Sequence, residues 1–384
     1  MTIICREAHL VSTDPDTGVR IFRLTSFPWV SHNIYGEVPY MDSDSRYIMF
    51  LRQQAPGRPH ELWRTDLEST RLELVDTGLC GLASVAVSPD QRVFYYLRMV
   101  DLETVLVKLD IVTLARTELN LGRIAPTHSL GSVTPDKKTF ATGTTVEGTA
   151  AVMTVDLETG RRDILYSSIH IRNPHVQIDP SDGRHVMVQV NRIDTSLPEE
   201  LPLHSRSAGI GLALVELGSG RFQELSIGPP HTEVNLQGHQ CFIGRTGRVL
   251  ATMSETGGDP SPEELAERRR RSVEQGNLVS IGPGDDGPVV VARGYRFTHP
   301  NASRDGRFFV SDNSDAELVV GSIKTGTCRV LCSTGSSFCS AQYTHPHPYF
   351  SPDCRWVVYN SDTTGIPQLY AAELPEGMLD ELDG

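Results

Sequence analysis

The sequence predicts an all-β fold: a single seven-bladed β-propeller with four-stranded blades that spans residues 1–384. Three observations predict it: a turn signature that recurs seven times, an even spacing of its early copies, and two chain ends that complement each other. A repeat of roughly 40–50 residues with several strands per unit is typical of propellers. Because inner strands surround one axis, equivalent positions of different repeats meet in space.

Each copy of the signature is a turn like Ser-Pro-Asp-Gly-Arg, and most copies lead into a short apolar strand. The turn aspartate, or Thr246 in its place, falls at 44, 90, 136, 182, 246, 305 and 353, so the first four copies are 46 residues apart. Alternation and β-branched or aromatic content predict the strands, at 47–50, 93–97, 186–190, 249–253, 308–311 and 356–359. A second hairpin recurs at 62–74, 152–164, 214–225 and 320–330. Two hairpins per repeat make four strands per blade.

The two ends of the chain predict how the ring closes. The last repeat stops after its third strand, at 368–374, whereas the first residues contain an outer-strand sequence at 18–25 with no inner strands before it. We therefore expect the N-terminal strand to complete the seventh blade. Such closure removes free sheet edges from the ring.

One insertion, at about 254–277, lengthens blade 5. Ser261 followed by Pro262 and two acids predicts the start of a helix, and the run 268–271 is four arginines. Two interpretations stay open: a solvated helix whose basic end suits the helix dipole, or a lid that offers arginines to an anionic ligand. A second long link, 194–209, joins the two hairpins of blade 4.

Composition excludes several partners. A net charge of −13 and a pI near 5.5 argue against a nucleic-acid binder and against binding to anionic membranes. An acidic small substrate stays compatible, since a local cationic pocket can oppose the net field. The seven cysteines show no disulfide framework and indicate a reducing compartment. With no apolar leader and no stretch of 18 apolar residues, we expect a cytoplasmic protein.

Histidine begins the inner strand in five of the seven repeats. The five lie six to eight residues before the turn aspartate or its stand-in: His128, His175, His239, His299 and His347. Blade 7 has the most candidate ligands, because His345 and His347 alternate with prolines and Gln342 lies three residues before His345. Residues two apart on a strand share a face, so this pair can bind one ion together with His299 of the neighbouring blade.

We therefore predict a metal site at one mouth of the central channel. Imidazole ligands alone leave zinc, iron, nickel and manganese open. A stiff polar loop is the alternative explanation of the His-Pro-His-Pro run. His128 and His175 lie further round the ring, and we interpret them as structural or substrate-contacting residues.

The stretch from His345 to Tyr370, with Gln342 before it, resembles the oligogalacturonate lyase family of seven-bladed pectate lyases. The resemblance implies a manganese ion bound by His299, Gln342, His345 and His347. It also implies intracellular β-elimination on short galacturonides, a carbon–oxygen lyase reaction on polysaccharide fragments. A histidine on the blade before the metal ligands serves the family as base, and His239 is the best match.

β-Elimination needs both a divalent cation and a base. Elimination removes the proton on C5, next to the carboxylate, and a divalent cation on that carboxylate stabilises the developing charge. A neutral imidazole near pH 7 is well suited to take the proton.

One departure from the family pattern concerns a blade-4 arginine that holds the substrate or assists the departing oxygen. The strand that should carry it, 208–214, has none. Arg206 is the candidate catalytic substitute, and Arg192 and His175 are candidate substrate-binding residues. A lyase for a related uronide is therefore also open.

The competing hypothesis is a non-catalytic propeller resembling the TolB type, which shares the Ser-Pro-Asp-Gly-Arg turns and binds a peptide or small-molecule partner at the channel mouth. That function does not require clustered histidines. The propeller half of a serine peptidase does not fit, because the sequence has no Gly-x-Ser-x-Gly motif and no α/β domain follows.

Overall fold

The architecture is a ring of seven antiparallel sheets, which confirms the predicted seven-bladed propeller. This computed structural model describes residues 3–7, 9–55, 57–79, 84–125, 129–198, 200–201, 206–255 and 260–384. His128 lies outside the described residues. No helix within the described ranges has the length and apolar character needed to cross a bilayer.

The strands follow the chain blade by blade. The N-terminal strands are β1 (Ile4–Arg6), β2 (Leu10–Thr13) and β3 (Arg20–Arg23). Blade 1 has β4 (Val30–His32), β5 (Tyr47–Gln53), β6 (His60–Asp66) and β7 (Arg71–Leu79). Blade 2 has β8 (Ala86–Val87), β9 (Val93–Val100), β10 (Glu103–Asp110) and β11 (Arg116–Asn120). Blade 3 has β12 (Gly131–Val133), β13 (Thr139–Val146), β14 (Thr149–Asp156) and β15 (Arg162–Ser167).

The remaining blades repeat this order. Blade 4 has β16 (Gln177–Ile178), β17 (His185–Ile193), β18 (Ser207–Glu216) and β19 (Phe222–Glu224). Blade 5 has β20 (Asn235–Phe242), β21 (Val249–Ser254), helix α1 (Pro262–Gln275), β22 (Leu278–Ile281) and β23 (Val289–Ala292). Blade 6 has β24 (Phe297–Ala302), β25 (Phe308–Asn313), β26 (Glu317–Ser322) and β27 (Cys328–Ser333). Blade 7 has β28 (Tyr349–Phe350), β29 (Trp356–Ser361) and β30 (Gln368–Glu373), preceded by the 3-10 turn Gln342–Thr344 and followed by α2 (Met378–Asp383).

The N-terminal segment closes the ring as predicted. Strand β3 pairs with β30 in antiparallel register, with Phe22 opposite Ala371. Two further strands were not anticipated: β2 adds a fifth strand to blade 7, and β1 adds a fifth strand to blade 1. The segment therefore joins the first and last blades at their outer edges.

The recurring turn is explained by its hydrogen bonds. In the seventh turn, Ser351 Oγ donates to Asp353 Oδ1 at 2.6 Å and accepts from the Trp356 backbone N–H at 3.0 Å. Turns two, three and six repeat this pattern with Ser or Thr in the first place and Asp in the third. In all seven turns the residue after the third place is left-handed, with φ between 55° and 76°. Glycine there avoids the steric penalty of a Cβ atom.

The core lies between the faces of neighbouring blades, and it fixes the ring. Phe297 and Phe309 of blade 6 pack edge to face, with centroids 5.6 Å apart, in one buried cluster with Cys241 and Leu250 of blade 5. Because strands alternate in direction, the first strands begin at the face where second strands end. We call this the upper face; the seven turns lie on the lower face.

The insertion of blade 5 lies on the upper face, since it joins the second strand to the third. It forms α1, whose start has the predicted capping box: Ser261 Oγ accepts from the Glu264 N–H, and the Glu264 carboxylate accepts from the Ser261 N–H. None of its residues is buried. The long link of blade 4 joins β17 to β18 on the same face, and its residues 199 and 202–205 lie outside the described ranges.

Candidate metal centre and adjoining pocket

Three histidines from two blades meet on the upper side of the channel. One ring nitrogen each of His299, His345 and His347 can be chosen so that all three lie within 4.8 Å of one another. The rings of His299 and His347 have centroids 4.3 Å apart, and those of His299 and His345 are 5.3 Å apart. The structure therefore brings these three residues together, as predicted.

One ring nitrogen of each histidine has no hydrogen-bond partner in the part of the chain that the structure describes. Nε2 of His299, Nδ1 of His345 and Nε2 of His347 are buried and accept or donate no hydrogen bond within the described residues. Buried polar atoms are nearly always paired in native proteins. Three unpaired imidazole nitrogens within reach of one point therefore fit a bound divalent cation, for which neutral imidazole is a good ligand.

The His-Pro-His-Pro stretch is held outside the regular ladder, as the prolines predict. Strand β28 begins only at Tyr349. The backbone carbonyl of His347 accepts from Asn33 Nδ2 at 2.7 Å, and that of Pro346 accepts from the Asn360 N–H at 2.9 Å. His347 itself has a left-handed φ of 43°. Amide groups from blades 1 and 7 thus fix the stretch that carries two of the three imidazoles.

A buried carboxylate orients His299. Nδ1 of His299 lies 2.8 Å from Asp312 Oδ2, and Asp312 is fully buried. Asp312 Oδ1 also accepts from the His299 backbone N–H at 2.7 Å and from Thr298 Oγ1 at 2.6 Å. A carboxylate that accepts from Nδ1–H leaves the Nε2 lone pair for a metal.

Sequence reasoning missed Asp312. The sequence carries one signal for it, an aspartate within the run 308–313, which forms a buried strand paired with the strand that carries His299. A backbone contact does the same for His345, whose Nε2 lies 2.9 Å from the Cys339 carbonyl oxygen and leaves Nδ1 facing the centre.

Gln342, the predicted fourth ligand, begins the 3-10 turn and is exposed. Its side chain lines the pocket that adjoins the three histidines. Gln342 therefore lies at the pocket beside the three histidines, and its role as a ligand stays a prediction.

His239, the predicted base, lies directly beside the metal centre. Its ring centroid is 4.1 Å from that of His299. The β20–β21 register shifts between Leu236 and Gln240, and Gly238 there has a φ of 95°, so His239 lies on a bulge. Bulges redirect a side chain out of the regular alternation.

The pKa values of these imidazoles reflect their surroundings. Burial, with the neighbouring His299 as the next cause, lowers the pKa of His239 well below the usual range. Burial and the same neighbour lower that of His347 as strongly. Burial also lowers the pKa of His345. All three are therefore neutral near pH 7, the state needed for a ligand or a base.

A segment of blade 1, residues 33–37, forms the floor of the site and was not anticipated. Tyr35 Oη lies 3.0 Å from Nδ1 of His239, and its ring centroid is 4.4 Å from that of His347. Glu37 Oε1 lies 2.6 Å from Nδ1 of His175. Gly36 fits tightly, because a Cβ atom there would lie 3.1 Å from the His347 carbonyl carbon. Counting back from the turn aspartate reaches no histidine in blade 1, so the repeat pattern did not single out these residues.

An open pocket of about 440 Å³ extends from the metal centre towards blades 3 and 4. Its lining includes His175, Gln189, Gln237, His239 and Gln342. His175 was predicted to contact substrate, and its place in this wall suits that role. The pocket is large enough for a sugar ring and open to solvent.

The two candidate arginines lie outside the described lining of this pocket. Arg192 donates through Nη2 to Glu224 Oε2 and through Nε to the Pro229 carbonyl oxygen, each at 2.5 Å. Arg206 is buried and lies beside the Asp194 carbonyl oxygen. Their predicted roles remain predictions.

The arginines of α1 have carboxylate partners. Arg271 pairs with Glu255 at 2.6 Å, Arg270 with Glu267 at 2.7 Å, and Arg269 with Asp315 of blade 6. These pairs favour the solvated-helix interpretation, and the contact to Asp315 ties α1 to the upper face of blade 6.

Known proteins match this chain in part by sequence and over its whole length by fold. No protein-family model matches the chain. It is 32% identical over 102 residues to an oligogalacturonide lyase of Pectobacterium atrosepticum and 30% identical over 104 residues to an oligogalacturonate lyase of Dickeya dadantii. The first match covers 26% of this chain and 23% of that relative, and the second 26% and 24%. The chain thus matches about a quarter of the length of these curated relatives.

Solved structures resemble the whole chain. A crystal structure of an oligogalacturonate lyase from Vibrio parahaemolyticus has a TM-score of 0.75 at 19% identity, covering 98% of this chain and 99% of that one. An oligogalacturonate lyase in complex with manganese has a TM-score of 0.74 at 18% identity, covering 98% of each chain. At these identities the likeness shows a shared fold.

Proposed function

We propose that this protein is a metal-dependent lyase that cleaves short oligogalacturonides, or a closely related uronide, by β-elimination. The observation that carries the proposal is the set of three unpaired imidazole nitrogens of His299, His345 and His347 with His239 beside them. The names of the similar proteins support the reaction class.

The residues present fit a divalent cation, which we propose to be Mn²⁺, held by the three histidines and by Gln342. When bound, such an ion would stabilise the negative charge that develops on the uronate carboxylate. The protein's part is to orient the imidazoles. Asp312 does this for His299, and the Cys339 carbonyl oxygen does it for His345.

His239 is the proposed base. Its Nδ1 faces Tyr35 Oη, so the tautomer with hydrogen on Nδ1 donates to Tyr35 and leaves the Nε2 lone pair free. Nε2 takes the C5 proton, the C5–H electron pair forms the C4–C5 double bond, and the C4–O4 bond breaks. The departing oxygen gains a proton, and the products are an unsaturated uronide and a shorter sugar. Arg206 and Arg192 remain candidates for holding the substrate or assisting that oxygen.

The expected substrate is a small acidic oligosaccharide, and we propose no nucleic-acid or membrane partner. The described cysteines are all free, which suits the proposed cytoplasmic location.

The test is metal analysis of the purified protein followed by far-ultraviolet absorbance during incubation with digalacturonate. Unsaturated uronides absorb there, so a lyase gives a metal-dependent rise. A propeller that only binds a partner would give none, and that result would refute the proposal. The clustered, unpaired histidines favour the lyase, because a peptide-binding mouth does not require them.

A further inference from the structure

Two glutamines from different blades line the pocket beside His239. Gln189 lies in β17 of blade 4, and Gln237 lies two residues before His239 in β20 of blade 5. Both residues belong to the wall of the pocket of about 440 Å³ in which the proposed reaction places the uronate. A uronate bound there would therefore contact the two amides as well as the base.

The side-chain oxygens of both glutamines are buried acceptors that no donor uses. Oε1 of Gln189 and Oε1 of Gln237 accept no hydrogen bond from the described residues. Ser129 in the same wall differs, because its Oγ donates to the Leu130 carbonyl oxygen at 2.8 Å and accepts from the Gly143 N–H at 3.0 Å. Since buried polar atoms are nearly always paired, the two amide oxygens suit a donor supplied by a ligand.

The position of Gln189 in its strand also points to a ligand. Residues two apart on a strand share a face, and Met187 on this face is fully buried in an apolar cluster that joins blades 4 and 5. Gln189 is itself only 4% exposed, so an apolar side chain there would avoid the cost of burying an amide without a partner. Gln189 also lies against the bulge that carries His239, since a Cβ atom added to Gly238 would lie 3.3 Å from Gln189 Oε1.

A uronate ring offers donors for these two oxygens. In a 1,4-linked chain, O1 and O4 form the linkages, and the proposed function puts the carboxylate at the metal centre. The hydroxyl groups on C2 and C3 are therefore the donors that the ring has left. A hydroxyl group donates one hydrogen bond, and an amide oxygen can accept it. An ester on either hydroxyl would remove the donor and add bulk beside the base.

We propose that Gln189 and Gln237 are specificity-determining residues that accept hydrogen bonds from the C2 and C3 hydroxyl groups of the uronate. The preferred substrates are galacturonides in which these hydroxyls are free, and esters such as the acetates are rejected. This inference rests on the proposed lyase function, because that function places the uronate in the pocket. A site built to bind a hydroxyl discriminates strongly against an analogue that lacks it, since its own polar group is then left unpaired.

The experiment compares digalacturonate with two analogues that lack the C2 or the C3 hydroxyl on the ring that loses its C5 proton. These deoxy analogues lose a donor without gaining bulk. We expect kcat/KM to fall about 10- to 100-fold for each, because a buried oxygen then has no partner in the complex. The corresponding acetates should not be cleaved at a measurable rate. Calorimetric binding to the Mn²⁺-loaded His239→Gln variant supplies a readout without turnover and should show the same order.

Variants of the two glutamines show whether the discrimination comes from their amides. Gln189→Met and Gln237→Met keep the length of the side chain and remove the amide. We expect each variant to lose about tenfold in kcat/KM for digalacturonate and less for a deoxy analogue, so that the difference between the substrates shrinks. A purely structural role would lower kcat/KM for all three substrates alike and would overturn the assignment.

Gln91→Met at the lower mouth is the matched control. Gln91 is likewise a buried glutamine whose Oε1 has no partner among the described residues. It lines the lower part of the channel and is not among the residues that line the pocket beside His239. We expect this variant to keep the wild-type preference for digalacturonate over the deoxy analogues, and a loss of that preference would overturn the assignment to Gln189 and Gln237.

The possible failures are distinct. Cleavage of both deoxy analogues as fast as digalacturonate overturns the hydroxyl contacts and keeps the lyase. Cleavage of none of the compounds overturns the lyase, and calorimetry then decides the contacts: weaker binding of the deoxy analogues than of digalacturonate supports them, and equal binding or none overturns them.

Discussion

The two mouths of the channel are built from the same seven repeats and differ in how their polar atoms are satisfied. At the lower mouth, the turn hydroxyls and carboxylates bond to their own backbone, as Ser351 and Asp353 do. At the upper mouth, polar atoms of His299, His347 and Gln189 are buried and have no partner within the described ranges. The turn hydroxyls thus serve the local fold, whereas ring nitrogens at the upper mouth are left for a ligand.

The largest effect should come from removing a metal ligand at the upper mouth. His347→Ala deletes a fully buried imidazole from the centre, so we expect metal content to fall close to zero and lyase activity with it. Elemental analysis after dialysis measures this. Unchanged metal content would remove His347 from the ligand set and would leave the contrast between the two mouths without its main support.

The next effect should come from the base alone. We expect His239→Ala to keep the metal and to lower kcat about 10²- to 10⁴-fold, the range for a lost general base. Stopped absorbance assays measure turnover, and elemental analysis measures metal content. Together they separate the role of a base from that of a metal ligand. Full activity would contradict the assignment, and loss of metal would make His239 a ligand.

Asp312→Asn tests whether orientation matters as well as ligand identity. The asparagine amide is as large as the carboxylate but is a weaker hydrogen-bond acceptor for His299 Nδ1–H. We therefore expect metal affinity to fall about 10- to 100-fold. Competition with a chelator gives the affinity, and far-ultraviolet circular dichroism checks the fold. An affinity equal to that of the wild type would show that backbone contacts alone hold the imidazole.

Tyr35→Phe should have a smaller effect on the same mouth. It removes the hydroxyl next to His239 Nδ1 but keeps the ring against His347. One hydrogen bond is worth about 0.5–1.5 kcal/mol, so we expect kcat to fall about three- to tenfold with metal content unchanged. A change confined to KM would instead place the hydroxyl on the substrate.

Sequence patterns predicted the parts of this molecule that repeat. The turn aspartates located the second strands of the blades, and the mismatched ends predicted that β3 closes blade 7. His299, His345 and His347 could be grouped because counting from the turns put them in register, and ring geometry then brought them together.

Residues that depart from the repeat could not be found in this way. Glu37 lies seven residues before its turn aspartate, in the register of the histidines, and Tyr35 lies nine residues before it. Neither is a histidine, so the search for recurring histidines did not single them out. Asp312 acts across a strand pair, and only the pairing shows that it faces His299. Contacts between side chains that are distant in the sequence, such as those formed at a bulge, depend on packing. A repeat pattern carries no information on packing.

The smallest functional effect should come from the lower mouth. Ser351→Ala removes a buried hydroxyl that accepts from the Trp356 N–H and donates to Asp353, so two groups lose a partner. We expect the free energy of unfolding to fall by about 1–3 kcal/mol, with kcat, KM and metal content unchanged in the folded protein. Denaturant titration and steady-state kinetics at low temperature measure the two separately. Ser12→Ala, which removes an exposed hydroxyl of β2, is the matched control for stability. If Ser351→Ala instead altered KM or metal affinity, the two mouths would be coupled through the strands. The turns at the lower mouth would then not serve folding alone, and the contrast with the ligand-binding residues at the upper mouth would fail.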